Sequence, residues 1–376
     1  MQFRDLKKQY QVLKEKIDTA VLQVMSDANF ISGKQVTELE EQLAKYVGVK
    51  HCITCANGTD ALTLALMAWG IGEGDAVFVP DFTFFASAET VAYEGATPIF
   101  VDVEQSSFNM SPESLEQAIE AVVKDGKLKP MAIVAVDLFG QPADYTRIRK
   151  IADKYDLFIL EDAAQGFGGR IGEKEACSFG DIATTSFFPA KPLGCYGDGG
   201  AIFTDNDEWA ELIRSFRIHG KGADKYDNVR IGMNSRLDTL QAAVLQVKLQ
   251  AFREYELEAV NKVAENYTEA LRDVVETPGV KDGFYSSWAQ YSILLESEEM
   301  RDGLQAALKE KGIPSMIYYP KGMHEQGAFL DTACTVVDLS VTTSMCKRIL
   351  ALPMHPYMEE AEIQAVIDAI REYLRD

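Results

Sequence analysis

Thr185-Ser186-Phe187-Phe188-Pro189-Ala190-Lys191-Pro192-Leu193-Gly194, running on into Cys195-Tyr196-Gly197-Asp198-Gly199-Gly200, sets a lysine between a hydroxyl-bearing apolar strand and a glycine-rich turn. Strand ends and tight turns hold their neighbours in fixed positions. A lysine held there sheds solvent, lowers its pKa and becomes a nucleophilic amine; the plain alternative is a lysine that caps a loop. A second stretch favours the amine. Phe158-Ile159-Leu160-Glu161-Asp162-Ala163-Ala164-Gln165-Gly166 is an apolar run ending in two carboxylates, the pattern of a buried parallel strand that opens into a site at its C-terminal end. Asp162 precedes Lys191 by 29 residues. A carboxylate in that place keeps a pyridine nitrogen protonated, because a nearby negative charge favours the cationic ring. A Schiff-base lysine paired with an acid at the ring nitrogen is how proteins hold pyridoxal phosphate. Metal ligation or helix capping are the other uses of a Glu-Asp pair.

A phosphate on such a cofactor needs its own cradle. Cys55-Ala56-Asn57-Gly58-Thr59-Asp60-Ala61-Leu62 follows a short strand, His51 to Thr54, and opens an apolar helix from Asp60 to Ala68. Gly58 and Thr59 therefore lie at a helix N-terminus, where free N–H groups and the positive dipole end favour an anion. Asn57 or Thr59 acting as a plain N-cap is compatible with that role. Ser186, five residues before the lysine, adds a hydroxyl. In Pro80-Asp81-Phe82-Thr83-Phe84-Phe85-Ala86-Ser87, Phe84 is the candidate to stack on the ring, with core packing as its other reading.

The chain has 376 residues, which suggests two domains. A net charge of −21 lacks the basic footprint that a nucleic-acid partner requires. No signal pattern or membrane-length apolar run is visible, and six scattered cysteines suggest reduced thiols in a cytoplasmic protein. Cys52-Ile53-Thr54-Cys55 has redox-motif spacing but lies on a buried strand, so it reads as structural. No His and Cys spacing suggests a metal.

Residues 5 to 27 form an amphipathic helix, and 37 to 47 a second. From 51 to about 205, apolar strands at 76–79, 98–101, 131–136, 157–160, 182–187 and 201–204 alternate with helices, which predicts an α/β fold with a mostly parallel, doubly wound sheet. Asp102 and Asp137 close strands and either line the cleft or cap helices. Residues 215 to 240 read as a long loop. Within it, Arg236 suits a carboxylate or phosphate, or else an ion pair with Asp238, and His219 anchors the loop. A long helix from 237 to about 272 bridges to a smaller α+β domain with a strand at 289–295, a helix at 299–311 and a closing helix at 363–374.

Asn57-Gly58-Thr59-Asp60-Ala61-Leu62, Pro80-Asp81-Phe82-Thr83-Phe84, Glu161-Asp162-Ala163-Ala164-Gln165, Ser186-Phe187-Phe188-Pro189-Ala190-Lys191 and Asn234-Ser235-Arg236-Leu237-Asp238, in that order, resemble the DegT/DnrJ/EryC1/StrS family of nucleotide-sugar aminotransferases. The resemblance spans essentially the whole chain. It implies a PLP fold type I (aspartate aminotransferase-like) architecture, with residues 1–30 as an N-terminal helix packing with the small domain, 31–250 as the large cofactor-binding domain and 251–376 as the small one. It implies pyridoxal 5'-phosphate held as a Schiff base on Lys191, with Asp162 at the ring nitrogen, Gln165 at the ring hydroxyl and Thr59 and Ser186 at the phosphate. Asn234 reaches the phosphate across a homodimer interface with shared active sites. Tyr318, Tyr319 and His324 fall where the family shapes its sugar site. The implied reaction is a ping-pong transamination from an amino acid, usually glutamate, to a nucleotide-linked keto sugar in surface-polysaccharide or glycoconjugate synthesis. The runs 185–200 and 232–238 most resemble enzymes acting on UDP-2-acetamido-2-deoxy-3-oxo-glucuronate, in which Arg236 would meet the sugar carboxylate. The alternatives are a dTDP- or UDP-linked 3-keto or 4-keto deoxy sugar, or a catalytically silent sensor or scaffold. A dehydratase of the family carries histidine at the Lys191 position, so Lys191 speaks against that activity.

Overall fold

The alternation between 51 and 205 builds one large sheet. In the computed structural model, which describes residues 1–224 and 226–375, the first strands are β1 (His51–Cys55), β2 (Asp75–Pro80), β3 (Thr97–Val101), β4 (Lys129–Val136) and β5 (Phe158–Asp162). Two short strands follow, β6 (Arg170–Ile171) and β7 (Lys174–Glu175), then β8 (Ile182–Ser186) and β9 (Gly200–Thr204). The remaining strands are β10 (Phe284–Tyr285), β11 (Tyr291–Leu294), β12 (Cys334–Thr335) and β13 (Ile349–Leu352). The sheet order is β1-β9-β8-β5-β4-β2-β3-β12, with β9 antiparallel to both neighbours and the other pairs parallel. A mostly parallel sheet is what the strand spacing predicts.

The strands are apolar on both faces because both faces are covered. Val77 and Val79 of β2 and Val134 of β4 pack on one side with α3 (Gly58–Trp69), whose Leu62, Ala65 and Leu66 are buried. Ala76, Phe78 and Ile133 point to the other side, against Leu115 and Ile119 of α5 (Pro112–Asp125) and Ile148 of α6 (Tyr145–Tyr155). A one-residue register slip would exchange these sets, so the pattern pins the pairing.

The first helix, α1 (Leu6–Asp27), starts where the Asp5 carboxylate accepts from Lys8 N at 2.8 Å. Its buried Leu13 and Ile17 pack on Val244 and Ala251 of α8 (Thr239–Ala251), each such side chain contributing about 1.5–3 kcal/mol. Just ahead of the helix, the Phe3 carbonyl accepts from Met354 N at 3.1 Å, which ties the N-terminus to the C-terminal part of the chain as well. A π-helical turn, Phe252–Glu256, joins α8 to α9 (Leu257–Leu271), giving the long helix expected from 237 to 272. Beyond it, β11 and β13 pair antiparallel under α9, α10 (Glu298–Glu310) and α12 (Glu360–Tyr373), around Tyr267, Tyr291, Leu304 and Ile370.

Three helices lie where the sequence reading had none: α4 (Ala86–Tyr93), α7 (Asp207–Phe216) and α11 (Ser340–Arg348). The first is only eight residues long and mostly buried, so it shows no amphipathic period. Asp102 proves to be a cap at a distance: its carboxylate accepts from Val341 N at 3.0 Å and Thr342 N at 2.9 Å in the first turn of α11. Cys52 and Cys55 are buried free thiols, the latter pushed up by burial to about 12, which suits a structural role. No helix among the described residues is long and apolar enough to cross a membrane.

Candidate active site

The C-terminal edge of the parallel strands gathers the residues singled out above. Asp162 ends β5, Ser186 ends β8, and Asn57-Gly58 follows β1 after the single residue Ala56. Asn57 does cap α3, its Oδ1 accepting from Asp60 N at 2.8 Å. That cap leaves Gly58 and Thr59 at the open end of the helix, with Thr59 exposed. Gly58 is required by contact: a Cβ there would stand 2.7 Å from Ser186 Cβ. Helix start and strand end are thus pressed together, with the first N–H groups of α3 beside the Ser186 hydroxyl.

Asp162 is buried. Its Oδ2 accepts from Ser87 Oγ at 2.7 Å and its Oδ1 from Ala164 N at 3.2 Å. It makes no ion pair among the described residues. Burial pushes its carboxyl above the ordinary range, against those two donors and the nearby Lys191 charge. Lys191 sits in the turn after β8, its N–H donating to Phe188 O at 2.8 Å and its carbonyl accepting from Arg4 Nη2 at 2.9 Å. The residue keeps some exposure at the cleft mouth. Even so, burial drives its pKa down, opposed by Asp162 and reinforced by the Arg4 cation. The amine of Lys191 and the acid of Asp162 therefore feel each other's charge, and no ion pair joins them among the described residues.

Gln165 is fixed from both ends. Its Oε1 accepts from Phe139 N at 2.9 Å, so its Nε2 is the atom that donates to Tyr319 Oη at 3.1 Å. Tyr319 is in turn edge-on to Phe82, 5.9 Å between ring centroids. Phe84 is 53% exposed and tilted against Tyr319, so it keeps a free ring face and is not core. Tyr318 is half-buried, with Phe3 edge-on to it. His324 is committed elsewhere: its Nδ1 meets Asp81 Oδ2 at 2.6 Å and its backbone N–H donates to Asp81 Oδ1, tying this loop to the end of β2.

The loop read from the sequence is an arm that pairs with itself at two points. Ile218 bridges Asn234 and Lys221 bridges Asn228, both antiparallel. His219 anchors the arm through its backbone, which donates to Met233 O and accepts from Asn228 Nδ2. Lys225, inside the loop read from the sequence, lies outside the described residues, as does Asp376. Asn234 is exposed at the arm's base. Arg236 is half-buried and forms no pair with Asp238; no side-chain partner for it occurs among the described residues.

This cleft fits pyridoxal phosphate on its own terms. Asp162 is a buried acid with neutral donors only, and a pyridinium supplies the missing cation. The Gly58–Ser186 contact and the open α3 terminus supply a phosphate seat, and Lys191 supplies a low-pKa amine. The sequence reading missed Ser87, Thr83 and Arg4. The first two stand inside a quoted motif and Arg4 just ahead of the first helix. Ser87 and Arg4, however, meet partners 75 and 187 residues away, separations that spacing cannot reveal.

Residues 11–371 match the model of the DegT/DnrJ/EryC1/StrS aminotransferase family. The chain is 44% identical over 371 residues to the UDP-2-acetamido-2-deoxy-3-oxo-D-glucuronate aminotransferase of Pseudomonas aeruginosa, covering 98% of this chain and 99% of that one. It is 42% identical over 375 residues to a pleiotropic regulatory protein of Geobacillus stearothermophilus, covering 99% and 98%. Among solved structures, a DegT DnrJ EryC1 StrS aminotransferase from Brucella abortus superposes with a TM-score of 0.97 at 51% identity, over the full length of both chains.

Proposed function

Because this chain belongs to the DegT/DnrJ/EryC1/StrS aminotransferase family, and is a pyridoxal-phosphate-dependent sugar aminotransferase, we propose that it transfers an amino group from L-glutamate to the 3-keto group of UDP-2-acetamido-2-deoxy-3-oxo-glucuronate. One observation carries the chemistry: Asp162 is a buried carboxylate whose hydrogen-bond donors, Ser87 and Ala164, are both neutral, and it lies near enough to Lys191 for the two charges to interact. When bound, the cofactor supplies an electron sink for the carbon next to the transferred amine. The rest falls to the chain. Asp162 holds positive charge at the ring nitrogen, and Gly58, Thr59 and Ser186 hold the phosphate. Gln165, locked by Phe139 and Tyr319, orients the ring hydroxyl, and Phe84 covers a ring face. Lys191, whose pKa burial lowers, takes the proton from the donor's Cα and returns it on the other side of the reaction.

The sugar assignment rests on Arg236, a guanidinium with no internal partner among the described residues, and on the uronate in the relative's name. Tyr318 and Tyr319 border the sugar; His324 serves by fixing their loop to Asp81. Asn234 completes the phosphate site of a partner subunit in a homodimer, for which the 88% exposed Ile231 on the arm supplies contact surface. Residues 31–250 act as the cofactor domain and 251–376 as the small domain. Six free cysteines suit a reducing cytoplasm, where such sugars are built for surface polysaccharides. The regulatory name of the other relative suggests a silent sensor, but Lys191, Asp162, Gln165 and Ser186 are all in place for catalysis. Mixing the protein with pyridoxal phosphate tests the reading. A visible absorption band is expected, lost in Lys191→Ala and bleached by L-glutamate; a band that no amino acid bleaches would refute transamination.

A further inference from the structure

A chain of buried hydroxyls ends on the acid of the site. Thr83, in the turn after β2, and Ser87, in the first turn of α4, are 0% and 1% exposed. Their oxygens lie 3.1 Å apart, and Ser87 Oγ lies 2.7 Å from Asp162 Oδ2. An ionised carboxylate only accepts, so Ser87 must donate to Asp162, and Thr83 must then donate to Ser87. The relay has one direction while Asp162 is charged. A protonated Asp162, with a donor of its own, would no longer fix that direction. Two neutral donors thus stabilise the charge that burial opposes, and they leave lone pairs on the carboxylate for a third donor.

Resting on the pyridoxal-phosphate reading above, we propose that Ser87, oriented by Thr83, is a positioning residue that holds Asp162 ionised and aimed for the ring nitrogen. Neither side chain needs to touch the cofactor. Both are buried, and the first turn of α4 brings Ser87 to the Asp162 carboxylate.

Equilibrium binding of pyridoxal phosphate to the cofactor-free protein, read by absorption and by quenching of intrinsic fluorescence, tests this. Ser87→Ala should weaken binding roughly tenfold, as loss of a hydrogen bond to a charged group does. Ser87→Thr, which keeps the hydroxyl, should restore it to within about threefold. The cofactor-free melting temperature should not follow this order. The 1-deaza analogue, with carbon for the ring nitrogen, should bind wild type and Ser87→Ala alike. Equal affinity of wild type and Ser87→Ala for pyridoxal phosphate overturns the proposal, and so does a tenfold loss that persists with the deaza analogue. Should Ser87→Ala not fold, Thr83→Val in the same pair of titrations decides the matter in the same way. A wild-type protein that binds neither compound refutes the cofactor reading instead.

Discussion

Gly58→Ala pits two physical effects against each other in one methyl group. Gly58 begins α3 with an ordinary backbone angle, so alanine there gains about 0.5–1 kcal/mol of helix propensity. The new Cβ, however, would stand 2.7 Å from Ser186 Cβ and 3.2 Å from Ser186 Oγ. Relieving that contact requires Ser186 or the start of α3 to give way. Ser186 is the last residue of β8 and is paired with Gly200, whose own Cβ position lies 2.5 Å from the Asn57 carbonyl. Neither side has room. Overpacking of this kind costs about 1–3 kcal/mol, so the clash equals or exceeds the propensity gain. The fold is expected to survive with a small net loss.

The larger effect is expected on the proposed phosphate seat, because the residue displaced is one of its proposed donors. Losing one charge-assisted hydrogen bond costs about 1.5–3 kcal/mol, which is about 10- to 100-fold in affinity. Titration of the cofactor-free protein with pyridoxal phosphate measures it. Pyridoxal without the phosphate is the control and should bind Gly58→Ala and wild type equally. If Gly58→Ala binds pyridoxal phosphate as tightly as wild type, the seat is not where α3 meets β8. If both ligands weaken together, the variant has damaged the cleft generally and the phosphate argument fails.

Arg236→Ala should lower kcat/KM for the 3-oxo uronate by about 10- to 100-fold, the worth of a charged hydrogen bond, and leave a neutral 3-keto sugar nearly unaffected; equal losses on both substrates would exclude a carboxylate contact. Asp137 and Glu161 are fully buried side by side, with no donor to Asp137 Oδ2. Burial, then the Glu161 charge, drives Asp137 well above the usual range, and burial pushes Glu161 to about 7 in spite of three backbone donors. Folded-state pKa values above the unfolded ones mean that the native chain holds extra protons from roughly pH 4 upwards, through about 7 for Glu161 and well above the ordinary carboxylate range for Asp137. Stability therefore falls as pH rises through that window. Asp137→Asn, a permanent donor to Glu161, should raise the Tm at pH 8 by about 2 °C or more and flatten the slope; an unchanged or lower Tm at pH 8 would show that the pair shares no proton.

The parallel sheet was legible because its strands are buried on both faces and read as uninterrupted apolar runs, Ala76 to Val79 and Met131 to Val136 among them. Lys191 and Asp162 were legible for a related reason. A charged residue at the end of an apolar run has few places to be except the open edge of the sheet. The same logic leaves two readings open at Asp102 and Asp137, which also end such runs. One caps α11 from 239 residues away and the other is sealed beneath α6 against Glu161 and Tyr145. Strand-end acids mark the edge of the sheet, and only the neighbours brought by other segments decide which of them is left facing the cleft.

Those neighbours are what local pattern cannot supply. Ser87 and Arg4 each touch one of the two reactive residues, Ser87 at the Asp162 carboxylate and Arg4 at the Lys191 carbonyl. Their effects on charge are opposite in purpose. Ser87 stabilises the ionised acid, while Arg4, a cation brought close to a lysine, favours the neutral amine. Both contacts come from residues distant in sequence, Ser87 in the first turn of α4 and Arg4 ahead of α1. Each acts on one member of the pair from outside it, and no ion pair joins Asp162 to Lys191 among the described residues. A buried acid held by neutral donors keeps lone pairs for a donor that brings its own positive charge.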